Sequence, residues 1–336
     1  MNFLTSRKSW IKYQGDEKMF RFKKEQKICK IGGIKFGGQP GENPTVLIGT
    51  MFYNGHKILE SRKGCKFDKR RAEELINRQE ELSDQTGIPA MLDLVANTAE
   101  EIRCYIDFVT GITDMPFSTD IWTVEPKLGA ARYVAEMGLQ ERHLYNSIAP
   151  WSKDPEREVS ELKKIGLKNA LMVAFNPEDP TPDGRISIIK EKLLPWATEA
   201  GFENVLADTS VVSLPSTPFS FLGSRKVKET FGIPVGCAPS NGTDLVKKTQ
   251  EGMWGKIGFV GVDSAAHAIG VLWNDFLLYG PIESAPWVFP AVATANAMLS
   301  TFVYDETEHL PESPEHPLNK LYSDFVEALR GQAPKK

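Results

Sequence analysis

From residue 45 onward the chain alternates short apolar runs with amphipathic stretches. The runs are TVLIGTMFY, PAMLDLVAN, TDMPFSTD, HLYNS, NALMVAFN, NVLADTS, IPVGCAPSN and DFLLYGPIES, each ending on small polar or acidic residues. Short apolar runs bounded by turn formers read as strands buried on both faces. The stretches between them carry helical spacing. Asp68 is placed to cap a helix on which Ala72, Leu75, Ile76, Gln79 and Leu82 recur up to Gly87. Thr98 and Glu101 have capping-box spacing for a helix to about Thr110, and a third helix follows Pro126 and ends near Gly138. Asp154-Pro155 opens a fourth that stops at Gly166. Pro195 is predicted to kink the fifth, and a sixth begins near Thr217-Pro218. After Asn241-Gly242-Thr243 come two helical pieces, DLVKKTQE and SAAHAIGVLW; a last helix, AVATANAMLSTFVY, is apolar around much of its surface. Strand and helix alternating through eight units predict an α/β fold, a closed (β/α)8 TIM barrel.

Ahead of the barrel, KICKIGGIKFGG reads as two short strands turning on glycines, a β-hairpin that plugs the barrel bottom. Its glycines lack the GxGxxG spacing and the following helix of a nucleotide loop. Residues 1–18 read as poorly packed, with Met19 as an alternative start. The division expected is therefore 1–44 for the N-terminal extension and hairpin, 45–304 for the barrel, and 305–336 for a polar tail with helical tendency at LNKLYSDFVEAL.

Composition changes this picture little. The 336 residues are 41% hydrophobic and 25% charged with a net charge of −4, so bulk charge does not suggest nucleic acid. No apolar run reaches the roughly 18–20 residues of a membrane span, and the N-terminus lacks the apolar centre of a secretory signal. A cytoplasmic location is expected. Of the cysteines, Cys104 and Cys237 fall on apolar elements and read as small core residues; Cys29 lies in the hairpin. Cys65 sits among lysines in SRKGCKFDK and reads as an exposed loop thiol. With no CxxC pair and five dispersed histidines, no metal site is expected.

The chemistry is narrowed by what is missing. There is no GxxxxGK[ST] loop, HExxH, GxSxG elbow or Rossmann fingerprint, and no lysine in the apolar strand cores for a Schiff base. Paired strand-end carboxylates suit a glycosidase, but Asp with Asn matches that chemistry poorly. What remains is a ring of polar strand ends: Asp93 and Asn97, Asp120, Asn146 and Ser147, Asn176, Asp208, Ser240 and Asn241, and Glu283. Singly, each is also an ordinary cap or turn former. Together, at the carboxyl ends of barrel strands, they form one rim. Carboxylates accept from N–H groups, and carboxamides both donate and accept. A fused nitrogen heterocycle with an amino group and an amide edge, such as pterin, presents that mixed pattern.

The string GGIKFGGQPGENPTVLIGTMFYNGHKI followed by FDK, together with LYNSIAP, LADTSVV and CAPSNGT, resembles the H-subunit family of tetrahydromethanopterin S-methyltransferase and its soluble homologues. The similarity runs from about Met19 to residue 305. These belong with the pterin-binding barrels. The resemblance implies that Asp120, Asn146 and Asp208, with Ser147, hold the pterin's amino and ring-nitrogen edge, and that Asn241 reaches toward N5, where the methyl is gained or lost. Asp93 departs from the LDxN pattern of related barrels, since this chain reads LDLVAN, and Asn97, Asn176 and Glu283 are placed only by their strand ends. The reaction implied is methyl transfer between a methylated corrinoid protein and N5 of tetrahydrofolate. The alternatives are the H-subunit reaction on tetrahydromethanopterin, and a non-catalytic scaffold for a corrinoid protein. With no DxHxxG-type signature, the corrinoid would be carried by a partner protein. The basic first loop (His56, Lys57, Arg62, Lys63, Lys66) would grip that partner or the folate's glutamate tail. Pairing as a homodimer is also implied, compatible with the apolar last helix.

Overall fold

The computed structural model describes residues 18–332, so the expectation for residues 1–18 falls, Lys18 apart, outside the described residues. The glycine-punctuated segment forms the hairpin β1 (Ile28–Ile31) and β2 (Ile34–Gly37). The first apolar run is β3 (Val46–Met51), and the long loop after it holds a small ribbon of β4 (Leu59–Ser61) and β5 (Lys66–Phe67). The later runs supply β6 (Ala90–Val95), β7 (Phe117–Asp120), β8 (His143–Ile148), β9 (Asn169–Val173), β10 (Asn204–Asp208), β11 (Val235–Cys237) and β12 (Phe276–Pro281). Strands β3 and β6 to β12 pair in parallel and in sequence order, and β12 returns to β3 to close the barrel.

The connecting helices are α1 (Lys69–Thr86), α2 (Ala99–Thr110), α3 (Val124–Glu136), α4 (Pro155–Ile165), α5 (Pro182–Ile188), α6 (Leu194–Glu199), α7 (Thr217–Thr230), α8 (Pro239–Gly270) and α9 (Ala285–Thr307). Their ends follow local chemistry. Asp68 accepts from the Arg71 amide at 2.9 Å to cap α1, and Asp154 caps α4 at 3.2 Å. Thr98 caps α2, but Glu101 completes only half of the expected box: its carboxylate takes the amide of Asn97 at 2.9 Å, one residue upstream of the cap. Pro195 has no N–H to give, and the turn ahead of it, Ile189–Leu193, opens into a π-helix that joins α5 to α6 without a break. Gly255, at φ 71°, bends α8 in the middle, which gives the two helical pieces the sequence suggests.

Side-chain alternation along the strands builds the barrel interior in two layers. The lower layer is apolar: Val46, Ile48, Met91, Leu144, Leu171, Leu206 and Phe276 are buried together with Cys29, Ile31 and Phe36 of the hairpin. The plug is thus a continuation of the barrel core, and it closes the amino-terminal end. Two positions farther along three of these strands, Met91 gives way to Asp93, Leu144 to Asn146 and Leu206 to Asp208. The same parity that buries the leucines therefore aims the polar residues upward into the mouth. His143 lies on the outward face of β8, against Thr119 at 2.9 Å, and burial pushes its imidazole down to about 3.

Three observations revise the sequence reading. Cys65 and Cys104 are joined by a disulfide, which ties the first loop to α2, so Cys65 is not a loop thiol. His56 and Arg62 are not free to grip a partner: His56 is buried 3.2 Å from Glu283, and Arg62 binds the Phe52 carbonyl and Glu101. The segment Ile282–Thr307 is apolar and long enough to cross a membrane by length and composition, yet half of its most apolar window is buried inside the fold. Its inner face packs on the barrel while Met298 and Phe302 stay exposed. The tail folds back on it, with α10 (Pro317–Leu321) and α11 (Ser323–Gln332) burying Leu318 and Val326 against Ala297.

Candidate active site

A cavity of about 500 Å³ opens at the carboxyl ends of the strands, within the range usual for small-molecule sites. Asp93, Asp120, Asn146, Ser147, Asp208 and Asn241 all line it. Asn97, Asn176 and Glu283 do not: they lie past the strand ends, in the turns. Asn97 is exposed, Asn176 accepts from the Glu178 amide to make its own turn, and Glu283 turns away to His56.

At the floor, Asp93 is buried and saturated. Its Oδ1 accepts from Ser118 at 2.5 Å and from the Asn146 carboxamide at 3.1 Å, and its Oδ2 from Thr50 at 3.4 Å. With its N–H2 committed to Asp93, Asn146 turns its carbonyl toward the cavity. Burial raises the Asp93 carboxyl above the usual range, and the three hydrogen bonds oppose that rise.

Asp120 ends β7 directly beside Asn146, its register partner on β8. Among the described residues nothing hydrogen-bonds to its carboxyl. Burial, with Asp93 and Asp208 nearby, pushes it up to about 8 against the pull of Lys127. Asp208 is different: the Ser210 amide donates to its Oδ1 at 2.7 Å. Burial still raises it to about 6, restrained by that amide and by the Arg185 guanidinium. Arg185 is itself fixed behind the strand end, donating to the Thr209 carbonyl at 2.7 Å. Of the two carboxyls that face the cavity without Asp93's full set of partners, Asp208 is the more readily ionised and Asp120 the more readily protonated, beside a carboxamide carbonyl. That combination of acceptors and a donor suits the edge of a polar heterocycle.

Asn241 arrives by a different route from the one expected. Strand β11 ends at Cys237, and Pro239 starts α8, so Asn241 stands in the first turn of that helix and not at a strand end. It is exposed to the cavity. In the ring of eight strands, β11 is diametrically opposite β7, so Asn241 faces Asp120 across the mouth.

Several cavity residues were not singled out from sequence. Lys127 is buried on α3, bound to the Ser147 carbonyl at 2.7 Å and to Glu158 at 2.7 Å. Trp122 and Trp151 stack at 5.8 Å on the rim; each follows, within the same loop, a strand end that lines the cavity, a signal available in the sequence. Tyr53 and Asp244 complete the wall opposite. Among the described residues no group of three or more His, Cys, Asp or Glu side chains is arranged to hold a metal ion.

The profile of the tetrahydromethanopterin S-methyltransferase MtrH subunit matches residues 24–309. The chain belongs to this family. It is 39% identical over 317 residues to the H-subunit of that enzyme from Methanothermobacter marburgensis, covering 90% of this chain and all of the relative. It is 37% identical over 321 residues to the H-subunit from Methanopyrus kandleri, covering 88% and 97%. The H-subunit of the putative methyltransferase mtx of Methanosarcina mazei is 37% identical over 316 residues, covering 90% and 100%. Membership of the MtrH family makes the chain one of a family of methyltransferases. Among solved structures, the dihydropteroate synthase of Yersinia pestis superposes with a TM-score of 0.54 at 12% identity, covering 82% of this chain and all of the other. The synthase of Xanthomonas albilineans gives 0.53 at 15% identity, covering 84% and 99%. At such identities the likeness concerns the barrel alone.

Proposed function

We propose that this MtrH-family barrel is a methyltransferase acting at N5 of a tetrahydropterin, with tetrahydromethanopterin, named in its relatives, as the first expectation and tetrahydrofolate as the second. The observation that carries the reading is the partly buried polar layer above an apolar plug. Asp120, Asn146 and Asp208 converge there on one cavity, with Asp93 locked beneath them. Buried polar groups at this density cost stability unless a ligand completes their hydrogen bonds. A pterin's amino group and ring N–H supply donors to the Asp208 carboxylate and to Asp120 as it ionises on binding, and its carbonyl and ring nitrogens supply acceptors.

Held by that edge, the bicycle extends across the mouth and brings its N5 half toward Asn241. The barrel's contribution is orientation and fixed dipoles, without a covalent intermediate. The co-substrate is a corrinoid carried by a partner protein, whose cobalt takes or gives the methyl group. The exposed rim, with Trp122 and Trp151, is where such a partner would dock.

The test is direct. Titrate the chain with tetrahydromethanopterin and with tetrahydrofolate, following tryptophan fluorescence, and assay methyl transfer between each pterin and free cobalamin by its visible spectrum. Saturable binding lost on Asp208→Ala, with methyl transfer to or from one pterin, supports the reading. Binding of neither pterin defeats it, and binding without transfer favours the scaffold alternative.

A further inference from the structure

Methyl transfer at N5 needs a proton to come and go, and none of Asp93, Asp120, Asn146 or Asp208 stands where N5 would lie. On the proposed reading the pyrimidine edge of the ring meets β7 and β8, which puts N5 in the opposite half of the mouth, below β11 and β12. On that side the cavity wall carries Tyr53, Ser240, Asn241 and Asp244. Asn241 and Asp244 are three residues apart in the first turns of α8 and so share one face of the helix.

Ser240 is committed to the Leu278 carbonyl at 3.1 Å, while Asp244 has no hydrogen-bond or ion-pair partner among the described residues. Its carboxylate leans toward the bare backbone of β12: a Cβ built on Gly280 would lie 3.8 Å from its Oδ2. Glycine there is set by its φ of 76° and by Ser240, whose side chain occupies the space a Cβ would take, so Ser240 and Asp244 both pack close over the strand. Asn241, as a carboxamide, can hold a protonated or unprotonated nitrogen but cannot exchange a proton with it at neutral pH.

We propose that Asp244 is the proton-exchanging group of the site, acting on N5 of the pterin beside Asn241; this rests on the reading of the cavity as a tetrahydropterin site. With a methylated pterin, the Asp244 carboxylic acid gives its proton to N5. The N5–methyl bond then breaks with its electron pair returning to N5, and the methyl passes to the electron pair of the partner's reduced corrinoid. In reverse, the N5 pair forms the bond to the incoming methyl, the corrinoid keeps the pair of the bond it loses, and the N5 proton returns to the Asp244 carboxylate. Atoms and electrons balance in both directions with no further reagent.

The surroundings shift this acid toward its neutral form, although its side chain stays open to the mouth. Burial raises the Asp244 carboxyl above the ordinary range; Lys247 lowers it, Asp263 raises it and His267 lowers it. Across the wall, Tyr53 is kept protonated by burial and by Glu283 and Asp244. His56 stays on the far side of Glu283, 3.2 Å from it. These are the charged and titratable groups that face Asp244 from α8 itself and from the ends of β3 and β12.

The experiment compares the full chain with Asp244→Asn and Asp244→Glu. Binding of the N5-methyl forms of tetrahydromethanopterin and tetrahydrofolate is followed by fluorescence, and methyl transfer to reduced free cobalamin is measured across pH. Asp244→Asn is expected to keep pterin affinity within about threefold, to slow transfer about 100-fold, and to flatten the limb on which the rate falls as pH rises. Asp244→Glu should recover part of the rate and restore that limb. Transfer by Asp244→Asn at the wild-type rate with an unchanged profile overturns the proposal. So does loss of pterin binding in that variant, which would make Asp244 a binding group only. If the wild-type chain binds neither pterin, the cavity reading fails and this proposal with it; if wild type binds and Asp120→Ala does not, that reading stands whatever Asp244 does.

Discussion

The Asn146 carboxamide donates to Asp93 Oδ1 at 3.1 Å across two strands of the barrel floor. Because the Asn146 N–H2 is spent on Asp93, this contact fixes which end of the amide faces the cavity. Asp93 thus acts on a ligand through Asn146. Asp93→Asn removes that instruction, since the new amide can offer its own N–H2 and let Asn146 turn over. The expected outcome is a folded protein whose pterin affinity drops about tenfold, the worth of one hydrogen bond of roughly 1.4 kcal/mol. Isothermal titration of wild type and variant measures it, and equal affinities would show that the amide orientation is set elsewhere.

Asn241 reaches the site from a helix turn and has no hydrogen-bonding partner of its side chain among the described residues, which leaves its amide available to a ligand in the cavity. Asn241→Ala is expected to lower turnover by about 10- to 100-fold while changing pterin affinity much less, because the interaction matters most as charge develops on N5. Single-turnover rates set beside equilibrium binding separate the two effects. Unchanged turnover removes Asn241 from the mechanism.

Much of this was legible in the sequence, for a reason visible in single residues. Two-residue alternation places Asp93 above Met91, Asn146 above Leu144 and Asp208 above Leu206, so the runs that announced the strands also announced the mouth. The plug was legible because its glycines can only be turns. Asn241 was misplaced because the run IPVGCAPSN looks like one strand, although Pro239 at a first helical position marks the end of β11. Asn97, Asn176 and Glu283 share the residue types of the true rim, and only the observed strand lengths separate them from it. Lys127 sits on the buried stripe of α3 with Leu128, Ala131 and Val134; a lysine there reads as an ordinary charge until Glu158, on the next helix, is seen beside it. The Cys65–Cys104 pairing joins residues 39 apart and could not be read from their spacing.

Asp120 gives the site a measurable proton balance. In the free protein its carboxyl lies near 8, raised chiefly by burial and by Asp93. A ligand donating N–H groups to it favours the ionised form and lowers that value. Binding at about pH 7.5 should therefore release a fraction of a proton, visible as a dependence of the binding enthalpy on the buffer's ionisation enthalpy. Asp120→Asn should abolish that dependence and weaken binding. The same residue links stability to pH. Its folded value is raised above the ordinary 3.8, so its stabilising protonation is complete below that value and is lost as pH rises through about 8. Asp120→Asn should consequently lose less thermal stability than wild type when pH is raised from about 6 to about 9. A parallel decline in melting temperature for both proteins would contradict this.

Lys127 connects the site to the wall behind it. Its ammonium is buried against Glu158 at 2.7 Å and the Tyr145 ring at 5.1 Å; Tyr145 and Ser152 both donate to the same carboxylate at 2.6 Å. Removing the charge by Lys127→Met keeps the stem's volume but leaves Glu158 buried without its counter-ion, which should cost about 3–5 kcal/mol. The Ser147 carbonyl, released from Nζ, loses the contact that holds the β8 end in place next to Asn146. Urea unfolding measures the first effect and pterin titration the second. The double variant Lys127→Met/Glu158→Gln removes both charges, so it should regain most of the stability while pterin affinity stays low. Recovery of both together would mean that Lys127 serves the fold and not the site.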